Sequence, residues 1–220
     1  MNHFRLPRLL VNRENYILAA ARDKTVLHLG CADYPFTEER IINGSWLHSK
    51  ISKVAKYCVG LELNSEMVSI LRDRYKIENV IQGDAEQLDM LALQKFDVIV
   101  AGELIEHLNN PGLFLKSAQY VLAPEGKLII TTTNAFCLRR FIRIPFGVES
   151  IHPDHTYYFS HSTLHTLVNR FGYLQIDAMS YSLPNRKPLI PYIFERAAVC
   201  ISPNFGEGLI HCYRLKDNQG

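Results

Sequence analysis

Residues 25–33 read Thr-Val-Leu-His-Leu-Gly-Cys-Ala-Asp, and this stretch decides the fold. A short apolar run that ends at a glycine, here Gly30, predicts a buried strand followed by a tight turn. Working outward, further apolar runs predict four more strands, at residues 57–63, 79–82, 96–101 and 127–133. The last two of these runs are rich in β-branched residues, which favour strands.

Helices are predicted between the strands from their capping residues. Asn64, the pair Asn110-Pro111 and Ser160 each precede apolar residues at helical spacing, and Gly172 marks the end of the last of these helices. Alternation of strands and helices through residue 133 implies right-handed crossovers. We therefore expect a parallel sheet that helices cover on both faces.

The pattern changes after residue 172. Residues 173–183 and 209–215 read as strands, and the segment between them is marked by Pro184, Pro188, Pro191 and Pro203. The simplest pairing of these two strands is antiparallel, at an edge of the sheet. The sequence therefore predicts an α/β fold with seven strands, mostly parallel, and an antiparallel C-terminal hairpin.

Length and composition limit the classes of function. A chain of 220 residues with 47% apolar side chains suits one globular domain with a full core. Its 24 basic and 22 acidic residues nearly balance, which disfavours a nucleic-acid partner. The five cysteines form no CxxC pair, so we expect reduced thiols. The chain shows no secretory signal and no apolar run long enough to span a bilayer, and we expect a soluble, cytoplasmic protein.

Four segments resemble, in order, the motifs of the class I S-adenosylmethionine-dependent methyltransferases. They are residues 26–33, 59–63, 82–86 and 96–103, the last followed by Leu-Ile-Glu-His-Leu at 104–108. The resemblance implies a Rossmann-like methyltransferase fold and an enzyme that uses S-adenosylmethionine. It implies one domain over residues 1–220, divided into a helical cap (1–23), a cofactor-binding core (24–134) and an acceptor-side lid with the C-terminal hairpin (135–220).

The same resemblance assigns roles to residues at the strand ends. Glu62 would accept hydrogen bonds from both ribose hydroxyls, Asp84 would accept one from the adenine amino group beside the Ala85 amide, and Glu103 would face the methionine end. The full set of expected cofactor contacts is Gly30, Cys31, Ala32, Glu62, Leu63, Asp84, Ala85, Gly102 and Glu103.

The first motif departs from the family pattern. His28 stands where the family usually has an acidic residue, and Ala32 and Tyr34 stand where it has glycines. Tyr34-Pro35 predicts a longer lid that runs to Trp46. These departures leave open a non-catalytic relative that only binds S-adenosylmethionine.

Glu103, Glu106 and His107 stand at helical spacing, and His152 and His155 follow the fifth predicted strand. Three interpretations stay open. In the first, Glu103, Glu106, His107 and His155 hold Mg²⁺ or Mn²⁺, as the resemblance to small-RNA 2′-O-methyltransferases and ubiquinone-pathway O-methyltransferases implies. In the second, His107 or His155 acts as a metal-free base on a hydroxyl, with Glu103 beside the reacting groups. In the third, Glu106 and His107 are structural.

The acceptor is the least determined feature of the sequence. Arg139, Arg140 and Arg143 fall on one predicted helical face and could grip a phosphate or carboxylate of the acceptor, with Tyr157 as a wall of its pocket. A resemblance to bacterial methyltransferases of glycan and natural-product pathways implies a hydroxyl of a small molecule or sugar. An RNA 2′-hydroxyl is the alternative, although the chain lacks a run of basic residues.

Overall fold

A computed structural model describes residues 6–7, 10–182 and 197–216. Within these ranges one mixed sheet of eight strands forms the centre of the fold. The strands are β1 (Leu10–Val11), β2 (Thr25–Leu29), β3 (Tyr57–Glu62), β4 (Val80–Gln82), β5 (Phe96–Gly102), β6 (Leu122–Thr133), β7 (Tyr173–Tyr181) and β8 (Gly208–Leu215). Their spatial order is β1-β7-β8-β6-β5-β2-β3-β4.

Helices flank this sheet and connect its strands. They are α1 (Arg13–Ala21), α2 (Thr37–Ile42), α3 (Leu47–Val54), α4 (Ser65–Tyr75), α5 (Pro111–Val121), α6 (Leu138–Phe141) and α7 (His161–Arg170), with short 3₁₀ turns at Ala85–Met90, Ile105–His107, Ile144–Phe146 and Pro203–Phe205. The three predicted caps are confirmed, because the side chains of Asn64, Asn110 and Ser160 each accept a hydrogen bond from a backbone N–H of the first turn.

The sheet topology determines where a ligand can bind. Strand β2 pairs in parallel with β3 on one side and with β5 on the other, so the strand order reverses at β2. In open α/β sheets, ligands bind beyond the carboxyl ends of the strands at such a reversal. The turn after β2 therefore lies at the expected position of a binding site.

The antiparallel hairpin at the end of the chain is confirmed. Strand β8 pairs antiparallel with both β6 and β7 and so enters the sheet between them. The predicted count of seven strands is one too low, since the two-residue strand β1 pairs in parallel with the end of β7. A two-residue strand is too short to carry a periodic pattern. Pro184, Pro188 and Pro191 of the predicted linking segment lie outside the described residues.

The segment predicted as a lid after the first motif, residues 34–46, contains a helix, and a second helix begins directly after it. Helix α2 fills part of it, and Trp46 leads into α3. The Trp46 ring is buried, and its indole N–H donates to the Cys31 carbonyl at 2.8 Å. This contact fixes the end of the segment to the turn after β2.

Apolar residues on both faces of the sheet form the core. One cluster includes Leu27, Ile99 and Phe114, and a second on the other face includes Ile17, Val26 and Ile129. Within the described ranges, no helix is long and apolar enough to cross a membrane. The division of the chain into cap, core and lid remains a prediction.

Candidate active site

A cavity of about 530 Å³ opens at the carboxyl ends of β2, β3 and β5. Five of the residues predicted to contact the cofactor line it: Gly30, Cys31, Glu62, Gly102 and Glu103. Gly30 has a φ of +61°, a backbone conformation that side chains with a Cβ rarely adopt. The turn after β2 thus brings the main chain to the cavity wall.

Glu62, at the end of β3, joins two elements of the cavity. Its Oε2 accepts a hydrogen bond from the Ala32 amide at 3.1 Å, and its Oε1 accepts one from the Asn64 amide at 3.0 Å. A carboxylate oxygen has two lone pairs, so both oxygens keep acceptor capacity toward the cavity. Glu62 can therefore bind a pair of hydroxyls while it fixes the first turn against β3.

The other four predicted cofactor residues are not among those that line the cavity. The Ala32 amide takes part through its bond to Glu62, and Leu63 is exposed. Asp84 caps the 3₁₀ turn after β4, its Oδ1 accepting from the Glu86 amide at 2.8 Å. Ala85 is buried and its carbonyl accepts from the Ser117 hydroxyl at 3.1 Å.

Arginines that sequence reasoning missed also line the cavity. Arg13, from α1, donates from Nε to the Thr131 hydroxyl at 2.9 Å, and its guanidinium lies 5.9 Å from the centre of the Tyr181 ring. Arg40, from α2, forms an ion pair with Asp33. No sequence motif marks either arginine, because α1 precedes the first motif and α2 lies in the segment predicted as a lid.

Glu103 stands at the centre of a polar network just beyond β5. Its Oε1 accepts from the Tyr181 hydroxyl at 2.7 Å and from the Thr131 hydroxyl at 3.1 Å. Burial, and next the charge of Glu103, raise the pKa of Tyr181 well above its usual range. Tyr181 therefore stays protonated and serves as a donor to Glu103.

Glu106 turns into the protein rather than toward the cavity. Its side chain is buried, and Oε1 accepts from the Thr133 amide at 3.3 Å while Oε2 has no hydrogen-bond partner. Burial, and next the charge of Glu103, raise its pKa to about 8. Both effects favour the neutral acid over the carboxylate.

Three histidines come together where the sequence analysis placed a mixed set of carboxylates and imidazoles. Within residues 6–7, 10–182 and 197–216, the one group of at least three side chains with close ligand atoms is His107, His152 and His155. One nitrogen of each lies within 4.8 Å of the others. Glu103 and Glu106 do not belong to this group, so the structure does not assemble the four predicted metal ligands.

Hydrogen bonds to backbone carbonyls hold the two segments that carry these histidines against each other. The Glu106 carbonyl accepts from the Thr156 amide at 2.9 Å, and the Leu108 carbonyl accepts from the Thr156 hydroxyl at 3.0 Å. The Tyr157 hydroxyl donates to the Asn109 carbonyl at 3.2 Å. The loop at 152–157 is therefore docked on the turn at 105–108, and His152 comes close to His107 through that docking.

The environment of the histidines favours uncharged imidazole. Burial, followed by the neighbouring His107 and His152, lowers the pKa of His155 to about 4. Burial, followed by His152, also lowers the pKa of His107. Nearby imidazoles repel one another when protonated, so His107 and His155 favour the neutral form.

The predicted acceptor residues do not form a single binding face. Arg139 pairs with the buried carboxylate of Glu207 at 3.2 Å, and Arg143 donates to the Ser150 hydroxyl at 3.4 Å. Arg140 lies with its guanidinium 5.9 Å from the centre of the Tyr158 ring. Helix α6 has only four residues, so the long helical face that would align the arginines is missing.

Comparisons with known proteins agree with this architecture. A family model described as a methyltransferase domain matches residues 43–130. An S-adenosylmethionine-dependent methyltransferase from Archaeoglobus fulgidus superposes with a TM-score of 0.57 at 16% identity, covering 90% of this chain and 89% of that one. One from Thermotoga maritima gives 0.61 at 17% identity, covering 91% and 87%. The chain therefore has the fold of the class I S-adenosylmethionine-dependent methyltransferases.

Curated relatives carry a more specific name. The ubiquinone biosynthesis O-methyltransferase of Haemophilus ducreyi is 26% identical over 149 residues, which are 62% of this chain and 58% of that protein. The mitochondrial enzyme of the same name from Rattus norvegicus is 27% identical over 114 residues, 48% of this chain and 33% of that protein. This chain thus spans at most about three fifths of the length of these relatives.

The two solved structures are named as S-adenosylmethionine-dependent, and the cavity residues of this chain fit that methyl donor. Gly30 turns the main chain along the cavity wall with a positive φ, and Glu62 offers acceptors for a pair of hydroxyls. Arg13 brings a permanent cation to the same cavity, and a carboxylate is its natural partner. The donor contains each of these groups: an adenosyl ribose, a methionine carboxylate and a sulfonium.

Proposed function

We propose that this methyltransferase transfers the methyl group of S-adenosylmethionine to a hydroxyl of a small molecule or sugar. The observation that carries the proposal is one cavity whose wall joins Gly30 and Glu62, on the donor side, to Glu103, His107 and His152. The name shared by the ubiquinone-pathway relatives supports an oxygen as the methyl acceptor.

The donor side of the cavity sets the position of the sulfonium. When bound, S-adenosylmethionine supplies an electrophilic methyl group on a positively charged sulfur. In the proposal, Glu62 accepts from the ribose hydroxyls and Arg13 binds the methionine carboxylate. With both ends of the donor fixed, the methyl group points across Gly102 and Glu103, so that proximity and alignment lower the barrier.

The side of the cavity that faces the methyl-accepting molecule supplies the base. An attacking hydroxyl forms a carbon–oxygen bond as the sulfur–carbon bond breaks, and its proton must leave. We assign proton removal to the histidine group, of which His107 and His152 line the cavity. Neutral imidazole is suited to this role. Glu103, which already accepts two hydrogen bonds, orients the acceptor rather than removing its proton.

Calorimetric titration with S-adenosylhomocysteine tests the donor site. We expect binding by the natural chain and a loss of about 2–4 kcal/mol for Glu62→Ala, because two hydrogen bonds to hydroxyls are removed. Glu66→Ala, which removes a carboxylate from the exposed first turn of α4, is the matched control and should bind normally. Absence of binding by the natural chain would refute the proposal.

A radiolabelled methyl donor tests the acceptor class. The assay would offer simple phenols, free sugars and a short RNA in parallel, with label transfer to each measured. Transfer to a phenol or sugar is the expected result, while transfer to RNA alone would reject the small-molecule assignment. Binding of S-adenosylhomocysteine without transfer to any acceptor of these classes would favour the non-catalytic relative.

A further inference from the structure

We infer that His107, His152 and His155 form a binding site for one divalent transition-metal ion of the zinc class. The three ligand nitrogens lie within 4.8 Å of one another. Tetrahedral zinc with bonds of about 2.0–2.1 Å separates two nitrogens by about 3.4 Å, so side-chain adjustments bring all three nitrogens into the first coordination shell.

The surroundings of the three rings support a ligand rather than mutual packing. His155 Nδ1 is buried and has no hydrogen-bond partner, which leaves an imidazole nitrogen with its bonding capacity unused. His107 and His155 meet edge to face, with centroids 4.5 Å apart, and the His152 ring centroid lies 5.2 Å from that of His155.

The Asp154 carboxylate lies close to His152, the most exposed of the three proposed ligands. Asp154 Oδ2 lies 3.7 Å from His152 Nδ1. The Asp154 amide donates to the same ring nitrogen at 3.3 Å, so the carboxylate lies beside the ring without a hydrogen bond to it. A carboxylate this close to a ligand ring attracts a bound cation electrostatically. The docking of the 152–157 loop on the 105–108 turn fixes the spacing between His107 and the other two rings.

The donor atoms select the class of metal. Imidazole nitrogens suit Zn²⁺, Co²⁺ and Ni²⁺, whereas Mg²⁺ and Mn²⁺ prefer oxygen ligands. The carboxylates that the sequence analysis assigned to Mg²⁺ or Mn²⁺ are outside the group. With an ion bound, the three protein ligands would leave one tetrahedral position open, where the acceptor hydroxyl would bind and lose its proton to water more readily. In that state the histidines would serve as metal ligands instead of as the base. This last step rests on the proposed function, whereas metal binding itself does not.

Cobalt spectroscopy tests the metal site in the absence of the methyl donor and the methyl acceptor. The full chain, made without a histidine tag and stripped with a chelator, would be titrated with Co²⁺ while visible absorption is recorded. We expect one equivalent to give the intense bands of a tetrahedral site, which Zn²⁺ removes and excess Mg²⁺ leaves unchanged. Absence of these bands, or displacement of the ion by Mg²⁺, would overturn the inference.

Variants separate the histidine site from the alternative ligand set. His152→Ala should weaken Co²⁺ binding by more than about 100-fold, because loss of a residue that merely orients a ligand already costs about 10–100-fold. His165→Ala, on the remote helix α7, and Glu106→Gln should both keep the bands. Retained binding in His152→Ala, or loss of binding in Glu106→Gln, would contradict the site.

S-adenosylhomocysteine binding, measured on the same samples, shows whether each variant is folded and keeps the two proposals apart. Co²⁺ binding without S-adenosylhomocysteine binding would refute only the methyl-transfer proposal. S-adenosylhomocysteine binding without Co²⁺ binding would refute only the metal site.

Discussion

At the scale of single residues, the contact between Gly102 and Arg13 is the most specific feature of the donor side. A Cβ at position 102 would lie 2.7 Å from Arg13 Nη2. Because Gly102 has no side chain, the Arg13 guanidinium can occupy the space beside it. The family motif marks Gly102, but only the packing of α1 explains why it must be small.

Gly102→Ala should weaken donor binding without unfolding the protein. The end of a flexible arginine can move away from the new methyl group, and it would then lose its position for the donor carboxylate. We expect about 1.5–3 kcal/mol of lost binding free energy, the contribution of a hydrogen bond to a charged group. Calorimetry with S-adenosylhomocysteine measures the effect.

A double-mutant cycle is the control for this prediction. If Gly102→Ala acts through Arg13, its effect and that of Arg13→Ala should not add, because both remove the same interaction. Additive losses would show that Gly102 contributes to binding independently of Arg13. A normal affinity in both single variants would remove Arg13 from the donor site.

At the scale of elements, β3 passes beneath the cavity with no room for a larger residue at Gly60. A Cβ there would lie 2.6 Å from Cys31 Sγ and 2.8 Å from His48 Cε1. We expect Gly60→Ala to destabilise the protein by about 1–3 kcal/mol, as overpacking does in well-packed cores. Urea unfolding measures the change, and adding Cys31→Ala should restore part of it. A stability equal to that of the natural chain would contradict this packing.

The start of α7 depends on one hydroxyl. Ser160 and Thr163 form a capping box, in which each side chain accepts from the backbone of the other. Ser160→Ala should cost about 1 kcal/mol of stability in urea, the usual effect of losing a cap. Ser162→Ala, on the exposed side of the same helix, is the matched control. Equal effects of the two substitutions would show that the cap is unimportant.

Elements with a local signal could be predicted from the sequence, and those that depend on tertiary packing could not. The strand at 25–29 and the caps at Asn64, Asn110 and Ser160 are encoded within a few neighbouring residues. Helices α2 and α3 were missed because Tyr34-Pro35 and Asn43-Gly44 are typical of loops. Burial of Trp46 against the Cys31 carbonyl holds that segment in place instead.

The candidate site follows the same division. Gly30, Glu62 and Glu103 could be found because parallel strands end at one edge of the sheet. The histidine group could be found only in part, since helical spacing favoured Glu106, which the 3₁₀ turn at Ile105–His107 directs into the core. Arg13 carries no signal, because a helix outside the motifs brings it to the cavity.

At the scale of the whole molecule, buried histidines connect distant parts of the sheet. His161 Nδ1 and His211 Nε2 lie 2.7 Å apart, with the Ser180 hydroxyl 3.1 Å from His161 Nε2 and the Tyr213 hydroxyl 2.7 Å from His211 Nδ1. Burial lowers the pKa of His161 to about 4. Burial, followed by His161 and His165, holds the pKa of His211 well below its usual value. This series of hydrogen bonds links α7 to the C-terminal hairpin through neutral imidazole rings.

Acid should therefore destabilise the fold as the pH falls below 6.5. A histidine whose folded pKa lies below the unfolded value of 6.5 stabilises the fold fully above pH 6.5. For His161 this stability is lost as the pH falls from 6.5 to about 4, at up to about 1.4 kcal/mol per pH unit. Burial lowers the pKa values of His28 and His48 as well, so their contributions are lost in the same direction.

His161→Asn tests this dependence, because asparagine keeps a hydrogen-bonding side chain and cannot titrate. Urea unfolding at pH 8 gives the cost of the substitution when the histidines are neutral in both states. Between pH 6 and 5 the variant should lose stability less steeply than the natural chain, by about one proton of uptake on unfolding. The substitution also removes the electrostatic effect by which His161 lowers the pKa of His211. This change makes the loss of stability with falling pH less steep as well. Parallel curves for the two proteins would mean that His161 is protonated in the folded state as easily as in the unfolded one.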